Sequence, residues 1–360
     1  MKFKKIEWRK HLLKFRFEAG TSRGTLVEKN TYYILLYSDG GIGKGECSPL
    51  VKLSIDDRED YEVYLTQFCE QLRDVREIEE IYQIPQIERF PSILMGFETA
   101  WLDAEKGCQH RIFDSNFYEG TPIPINGLIW MGSEQFMREQ IQKKIGEGFR
   151  CVKMKIGVDF EMEYRILKEL RSHFSADELE IRVDANGAFT FEEAMSYLEK
   201  LSKLQIHSIE QPLRAGSITK MYELCKNAPL PIALDEELIG VFSLQAKREL
   251  LQAIRPHFIV LKPSLIGGFR ACHEWIEIAR NLQIGWWVTS ALESNIGLNA
   301  ICQFVAQYPL SLPQGLGTGQ LYHNNIQSPL VVENGSIRYN RNLAWSDLPE
   351  GSKQKIIPIS

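Results

Sequence analysis

Five apolar runs from residue 151 onward each end on a lysine or an acid. They are CVKMKIG with Lys153 and Lys155, IRVDANG with Asp184, HSIEQP with Glu210, IALDEEL with Asp235 and FIVLKPSLIGG with Lys262, the charged positions lying 25 to 29 residues apart. One strand, one loop and one helix use roughly that much chain, and eight such units fill a barrel of ~250 residues. Between the runs, apolar positions return with helical period. Met162, Ile166, Leu167, Leu170 and Phe174 follow Asp159, while Ala194, Tyr197, Leu198 and Leu201 follow Thr190, which forms a capping box with Glu193. Strands are predicted at 123–128, 151–155, 180–184, 208–210, 232–235, 258–262, 285–290 and in LPQGLGTG. Strands alternating with helices favour a barrel over an open doubly wound sheet.

The first third has another rhythm. KHLLKFRFEA and TYYILLYS alternate like antiparallel strands, and Asp39, Gly40 and Gly41 turn the chain into a third, IGKGECS. A helix opened by Ser54 and Asp57 is predicted next, with Tyr61, Tyr64, Leu65, Phe68, Leu72 and Val75 on one face, and another over 92–105, ending at Gly107. Strands followed by helices make an α+β unit over residues 1–120. The tail, 331–360, carries VVENGSIRYN and is expected to return to that unit, leaving 121–330 as the barrel.

Composition narrows the function classes. At 360 residues the chain exceeds one typical core; 44% apolar and 25% charged residues are ordinary for a globular protein. A net charge of −5 without a basic run argues against nucleic-acid and membrane partners, and no apolar stretch reaches the ~20 residues of a membrane span. The first residues are too charged for a signal peptide, and seven scattered cysteines without C-x-x-C suit a reduced, cytoplasmic protein. GGIGKGE lacks the spacing of a phosphate loop, and the histidines show no metal spacing.

Charged residues ending successive barrel strands point into one mouth. Asp184, Glu210 and Asp235 would repel one another there unless a hard cation joined them, and three oxygen ligands suit Mg²⁺, or Mn²⁺. Lys155 and Lys262 enter from opposite sides. Beside a dication and a second ammonium, a lysine can lose its proton and act as a general base. Three carboxylates, one dication and two ammoniums leave a charge of +1, suited to a small-molecule carboxylate losing its α-proton to become an enediolate. Lys153 faces the same way from deeper in the barrel and would depress the basicity of Lys155.

Taken together, K-x-K, D-x-N, E-Q-P, D-E and K-P-x-x-x-G-G resemble the enolase superfamily, muconate-lactonizing subgroup, across nearly the whole chain. The resemblance implies a (β/α)7β TIM-like barrel under an α+β capping domain. GFETAWLDAEKG, PINGLIWMG, SALESNIGL and GLGTGQLY are similar to members that dehydrate 2-succinyl-6-hydroxy-2,4-cyclohexadiene-1-carboxylate to 2-succinylbenzoate, a step of menaquinone biosynthesis. It implies that Lys155 takes the α-proton and returns it to the departing hydroxyl, with Lys262 as the cation on the other face. Asn186 and Glu236 would support the metal and lysine, the loop with Ser22 and Arg23 would cover the mouth, and Ser264 and Ser290 would meet substrate carboxylates. A homo-oligomer is compatible with this reading.

Dipeptide epimerases and N-succinylamino acid racemases of the subgroup share the two lysines, but the epimerases carry D-x-D at the eighth strand, where this chain has GLGTG. Sugar-acid dehydratases usually place histidine where Lys262 stands. A non-catalytic barrel would give five charged strand ends no reason to coexist.

Overall fold

The computed structural model describes residues 1–21 and 24–359. Strands Lys5–Thr21, Gly24–Ser38 and Gly41–Cys47 form an antiparallel meander, and Lys353–Pro358 adds to its other edge. Helix Pro91–Glu105 lies directly on this sheet. A Cβ at Gly43 would overlap the carbonyl oxygen of Ala100, and one at Gly45 that of Gly96, so the glycines of GIGKGE serve helix packing.

The predicted helix start at Ser54 and Asp57 is wrong. The helix is Tyr61–Leu72, preceded by Asp60. Ser54 Oγ instead accepts from Leu50 N at 2.8 Å and Asp57 Oδ2 from Lys52 N at 2.8 Å. These short polar side chains satisfy a turn rather than a helix end.

The barrel sheet is parallel, in the order Gly127–Ile129, Cys151–Lys155, Glu180–Asp184, Ser208–Glu210, Ile232–Leu234, Phe258–Leu261, Gly285–Val288. The eighth position is reduced to two bridges, Gln314 to Ile125 and Gly315 to Thr289, both parallel. A Cβ on Gly315 would overlap the Thr289 side chain, so this narrow closure needs glycine. The strand expected at 123–128 is split. Ile123–Pro124 pairs with the hairpin Leu330–Glu333 and Ser336–Tyr339, Ile125 bridges to Gln314, and Gly127–Ile129 pairs with the second barrel strand. The first part of the tail therefore lies with Ile123, and Lys353–Pro358 alone joins the first sheet. The capping box of Thr190 and Glu193 forms, opening Phe191–Ser202. Among the described residues no helix is long and apolar enough to cross a membrane.

Two buried carboxylates clasp the cap to the barrel. Glu46 accepts from Ser294 N at 2.8 Å and Gly297 N at 2.8 Å, capping helix Asn295–Val305. Glu98 accepts from Phe269 N at 2.5 Å and Arg270 N at 3.1 Å, capping Gly268–Asn281, and accepts a hydrogen bond from the Tyr82 hydroxyl as well. Glu98→Ala would leave these buried donors unpaired; an unfolding free energy lower by about 3 kcal/mol in a denaturant titration is expected. An unchanged midpoint would remove the clasp.

Candidate active site

Parallel register assembles the site. Lys155 is paired with Asp184 and Asp184 with Glu210, while Asp235 and Lys262 directly follow the strands ending at Leu234 and Leu261. Lys153 and Lys155 share a face because strand side chains alternate. All six are buried.

Each acid is turned to an ammonium. Lys155 Nζ stands 2.9 Å from Asp184 Oδ2 and donates to Asn186 Oδ1 at 2.6 Å. Lys153 Nζ donates to Glu210 Oε2 at 2.6 Å and lies 3.7 Å from Asp184 Oδ2. Lys262 is ion-paired with Asp235 and lies 3.7 Å from Glu210 Oε1. Burial pushes the Asp184 carboxyl upward, but Lys155, Lys153 and Lys262 outweigh it and hold it well below the usual range. Burial pulls the ammoniums of Lys153 and Lys262 down; neighbouring acids overcome it and raise both.

As placed, no group of three histidine, cysteine, aspartate or glutamate side chains among the described residues forms a ready cation site. The donor set nonetheless fits one. Three buried carboxylates approach a common cluster of charge, and Glu210 Oε1 is buried without a hydrogen-bond partner. Hard oxygen donors of this kind suit Mg²⁺ or Mn²⁺.

Asn186 links the lysine to the acid expected to support it, donating to Glu236 Oε1 at 3.2 Å. Gln211 is a residue that sequence alone did not flag. Its Oε1 accepts from Asp235 N at 3.1 Å and Glu237 N at 3.3 Å, fixing the turn that carries Asp235. Asn186 and Gln211 both have left-handed backbones, φ 46° and 40°, two and one residues beyond the Asp184 and Glu210 strand ends, the kind of strain that persists where surroundings over-determine it.

Above the charges opens a cavity lined by Trp130, Leu128, Asn126, Ser290, Leu292 and Thr318, and covered by Gly24, Thr25, Leu26 and 50–53 of the cap. The 50–53 loop was not anticipated; the misread turn at Ser54 concealed it. Asn126 Oδ1 and Thr318 Oγ1 are buried on this cavity without hydrogen-bond partners, so each is open to a polar substrate group. Lys155 Nζ lies 5.9 Å from the Trp130 ring. Ser22 and Arg23 lie outside the described residues.

The expectation for the two serines does not hold. Ser264 is fully buried, lines no part of the cavity, and donates to Glu293 Oε1 at 2.6 Å. Ser290 reaches the cavity, but its hydroxyl donates to Glu293 Oε2 at 2.5 Å and accepts from Leu292 N at 2.9 Å and Glu293 N at 3.3 Å. One donor and two lone pairs are thereby filled.

A parallel barrel, three acids and three lysines at its strand ends, and a covering α+β cap define a class that comparison with known proteins identifies. Residues 136–343 match the enolase C-terminal domain-like family. The chain belongs to the enolase superfamily. It is 44% identical over 359 residues to o-succinylbenzoate synthase from Desulfotalea psychrophila, covering 92% of this chain and 97% of that one. The crystal structure of MenC from the same organism superposes with a TM-score of 0.85 at 41% identity, over 93% of this chain and 99% of that one. A dipeptide epimerase from Enterococcus faecalis, solved with Mg and the dipeptide L-Leu-L-Tyr, shares the fold at a TM-score of 0.83 and 18% identity, over 94% of this chain and 98% of that one.

Proposed function

We propose that this chain is a lyase, an o-succinylbenzoate synthase, converting 2-succinyl-6-hydroxy-2,4-cyclohexadiene-1-carboxylate to 2-succinylbenzoate by syn dehydration in menaquinone biosynthesis. The 44% identity over 92% of the chain carries the reading, and two lysines from the second and sixth strand ends supply the chemistry.

Asp184, Glu210 and Asp235 would hold Mg²⁺, which supplies positive charge where the substrate carboxylate gains electron density. Lys155 Nζ, as the free amine, takes the α-proton, and the C–H electron pair moves into the carboxylate to give an enediolate. That pair then returns to the ring as the C–O bond breaks, and the Lys155 ammonium passes its proton to the departing hydroxyl. Water leaves, the ring becomes aromatic, and Lys155 is again a free amine. Lys262, held charged by Asp235 and Glu210, faces the ring from the other side and stabilises its added electron density. Trp130, Leu128 and Leu292 exclude water around the ring. The Thr318 hydroxyl would donate to an oxygen of the succinyl end, with Asn126 beside it on the same wall. The work belongs in the cytoplasm, in keeping with seven free cysteines.

A dipeptide would bring an ammonium needing an acidic partner. The eighth position offers Gly315, Gly317 and Thr318. Comparing kcat/KM for the cyclohexadiene acid, an N-succinylamino acid and a dipeptide tests the assignment. The first should exceed the dipeptide by orders of magnitude; a dipeptide ranking highest would overturn the substrate while leaving the superfamily intact.

A further inference from the structure

The turn at 290–294, within SALESNIGL, holds a strained leucine backbone and a buried acid that the proposed reaction leaves unexplained. Leu292 lines the cavity in left-handed backbone, φ 64°, which a leucine rarely adopts. Glu293 is a fully buried carboxylate just beyond it. Its Oε2 accepts a hydrogen bond from the Ser290 hydroxyl, and Ser290 Oγ in turn accepts from the Leu292 and Glu293 N–H groups. The Leu292 carbonyl accepts from Tyr322 Oη at 2.7 Å, so the strained residue is held at both its backbone ends.

The other oxygen of Glu293 serves a different wall. Ser264 donates to Oε1 from two residues beyond Lys262, in a turn where Leu265 N and Ile266 N bond to the Lys262 carbonyl at 2.8 and 3.2 Å. One carboxylate thus spans the Lys262 turn and the Leu292 turn.

A buried anion needs a counter-charge. Lys29, on the cap strand Gly24–Ser38, is also buried and donates to Ser48 Oγ, and the charges of Glu46 and Glu293 act on it through the interior. Burial pulls its ammonium below the ordinary value, and those two acids pull it part of the way back. Glu46 itself caps the helix that begins beside Glu293, accepting from Ser294 Oγ at 2.6 Å. A Cβ at Gly297 would fall within 3.0 Å of both Glu293 and Glu46, so this contact between cap and barrel is tightly filled.

We propose that Glu293 is a positioning residue that sets two walls of the site at once, Lys262 through Ser264 and Leu292 through Ser290, with Lys29 of the cap as its counter-charge. Seating the cap therefore also shapes the floor on which the ring rests. The roles of Lys262 and Leu292 rest on the function proposed above.

Four variants, Glu293→Gln, Ser264→Ala, Ser290→Ala and Lys29→Met, with the double variant of Lys29 and Glu293, test this in steady-state kinetics per folded molecule. Glu293→Gln should lower kcat/KM roughly 10–100-fold, the range seen when partners that orient site ligands are removed, with Mg²⁺ affinity unchanged. Ser264→Ala should act mainly on kcat and Ser290→Ala mainly on KM. The double variant should be less impaired than the product of its single changes, because each single change strands a buried charge. Wild-type constants in Glu293→Gln, or the same parameter moved by both serine variants, would overturn the proposal. Absence of turnover by the wild type would overturn the proposed function instead. A crystal structure of Glu293→Gln then decides this inference: Leu292 leaving the left-handed region supports it, and an unchanged φ overturns it.

Discussion

Lys155→Ala is expected to lower turnover by ~10²–10⁴-fold or more and to abolish exchange of the substrate α-hydrogen with solvent deuterium. The two effects belong together because a single nitrogen is asked to remove the proton and to return it. Lys155 Nζ is held by Asp184 and Asn186, and Asn186 by Glu236, so the amine has a fixed address rather than a mobile one. Alanine removes the proton acceptor and leaves Asp184 with Lys153 at 3.7 Å. Lys262→Ala should also stop turnover, through loss of charge opposite the ring. Wild-type rates in either variant would remove the two-lysine mechanism.

Asp235→Asn is expected to weaken Mg²⁺ binding by about 100-fold or more, at or beyond the upper range for losing a partner that merely supports a metal ligand. Two terms act in the same direction. One oxygen ligand loses its charge, and Lys262 loses the acid that pairs with it, so a net positive charge is added where a dication must sit. Isothermal calorimetry with Mg²⁺, and the Mg²⁺ concentration at half-maximal turnover, should move together. Unchanged affinity on substituting Asp184, Glu210 and Asp235 in turn would place the cation elsewhere.

What could be read from sequence depended on how local the cause was. The barrel strands were legible because each is a short apolar run ending on a charge, and a parallel register then aligns those ends without further information. The capping box at Thr190 was legible because its partners are three residues apart. The eighth position falls in LPQGLGTG as expected, but it is reduced to two bridging residues, Gln314 and Gly315, too few to show a strand's periodicity. At Ser54 the same polar-residue signal that marks helix starts was used by a turn, and this hid the 50–53 loop over the cavity. Glu46 and Glu98 have partners 248 and 171 residues away, a pairing that only the assembled cap and barrel create. Ser264 and Ser290, expected to meet substrate carboxylates, both donate to Glu293, a partner 29 residues from the first and three from the second.

The most direct measurement is ultraviolet absorbance during incubation of the purified protein with the cyclohexadiene carboxylate and Mg²⁺. The account predicts metal-dependent appearance of the aromatic 2-succinylbenzoate, lost on chelation and in Lys155→Ala. A folded, Mg²⁺-loaded wild-type protein that leaves the diene unchanged would contradict it.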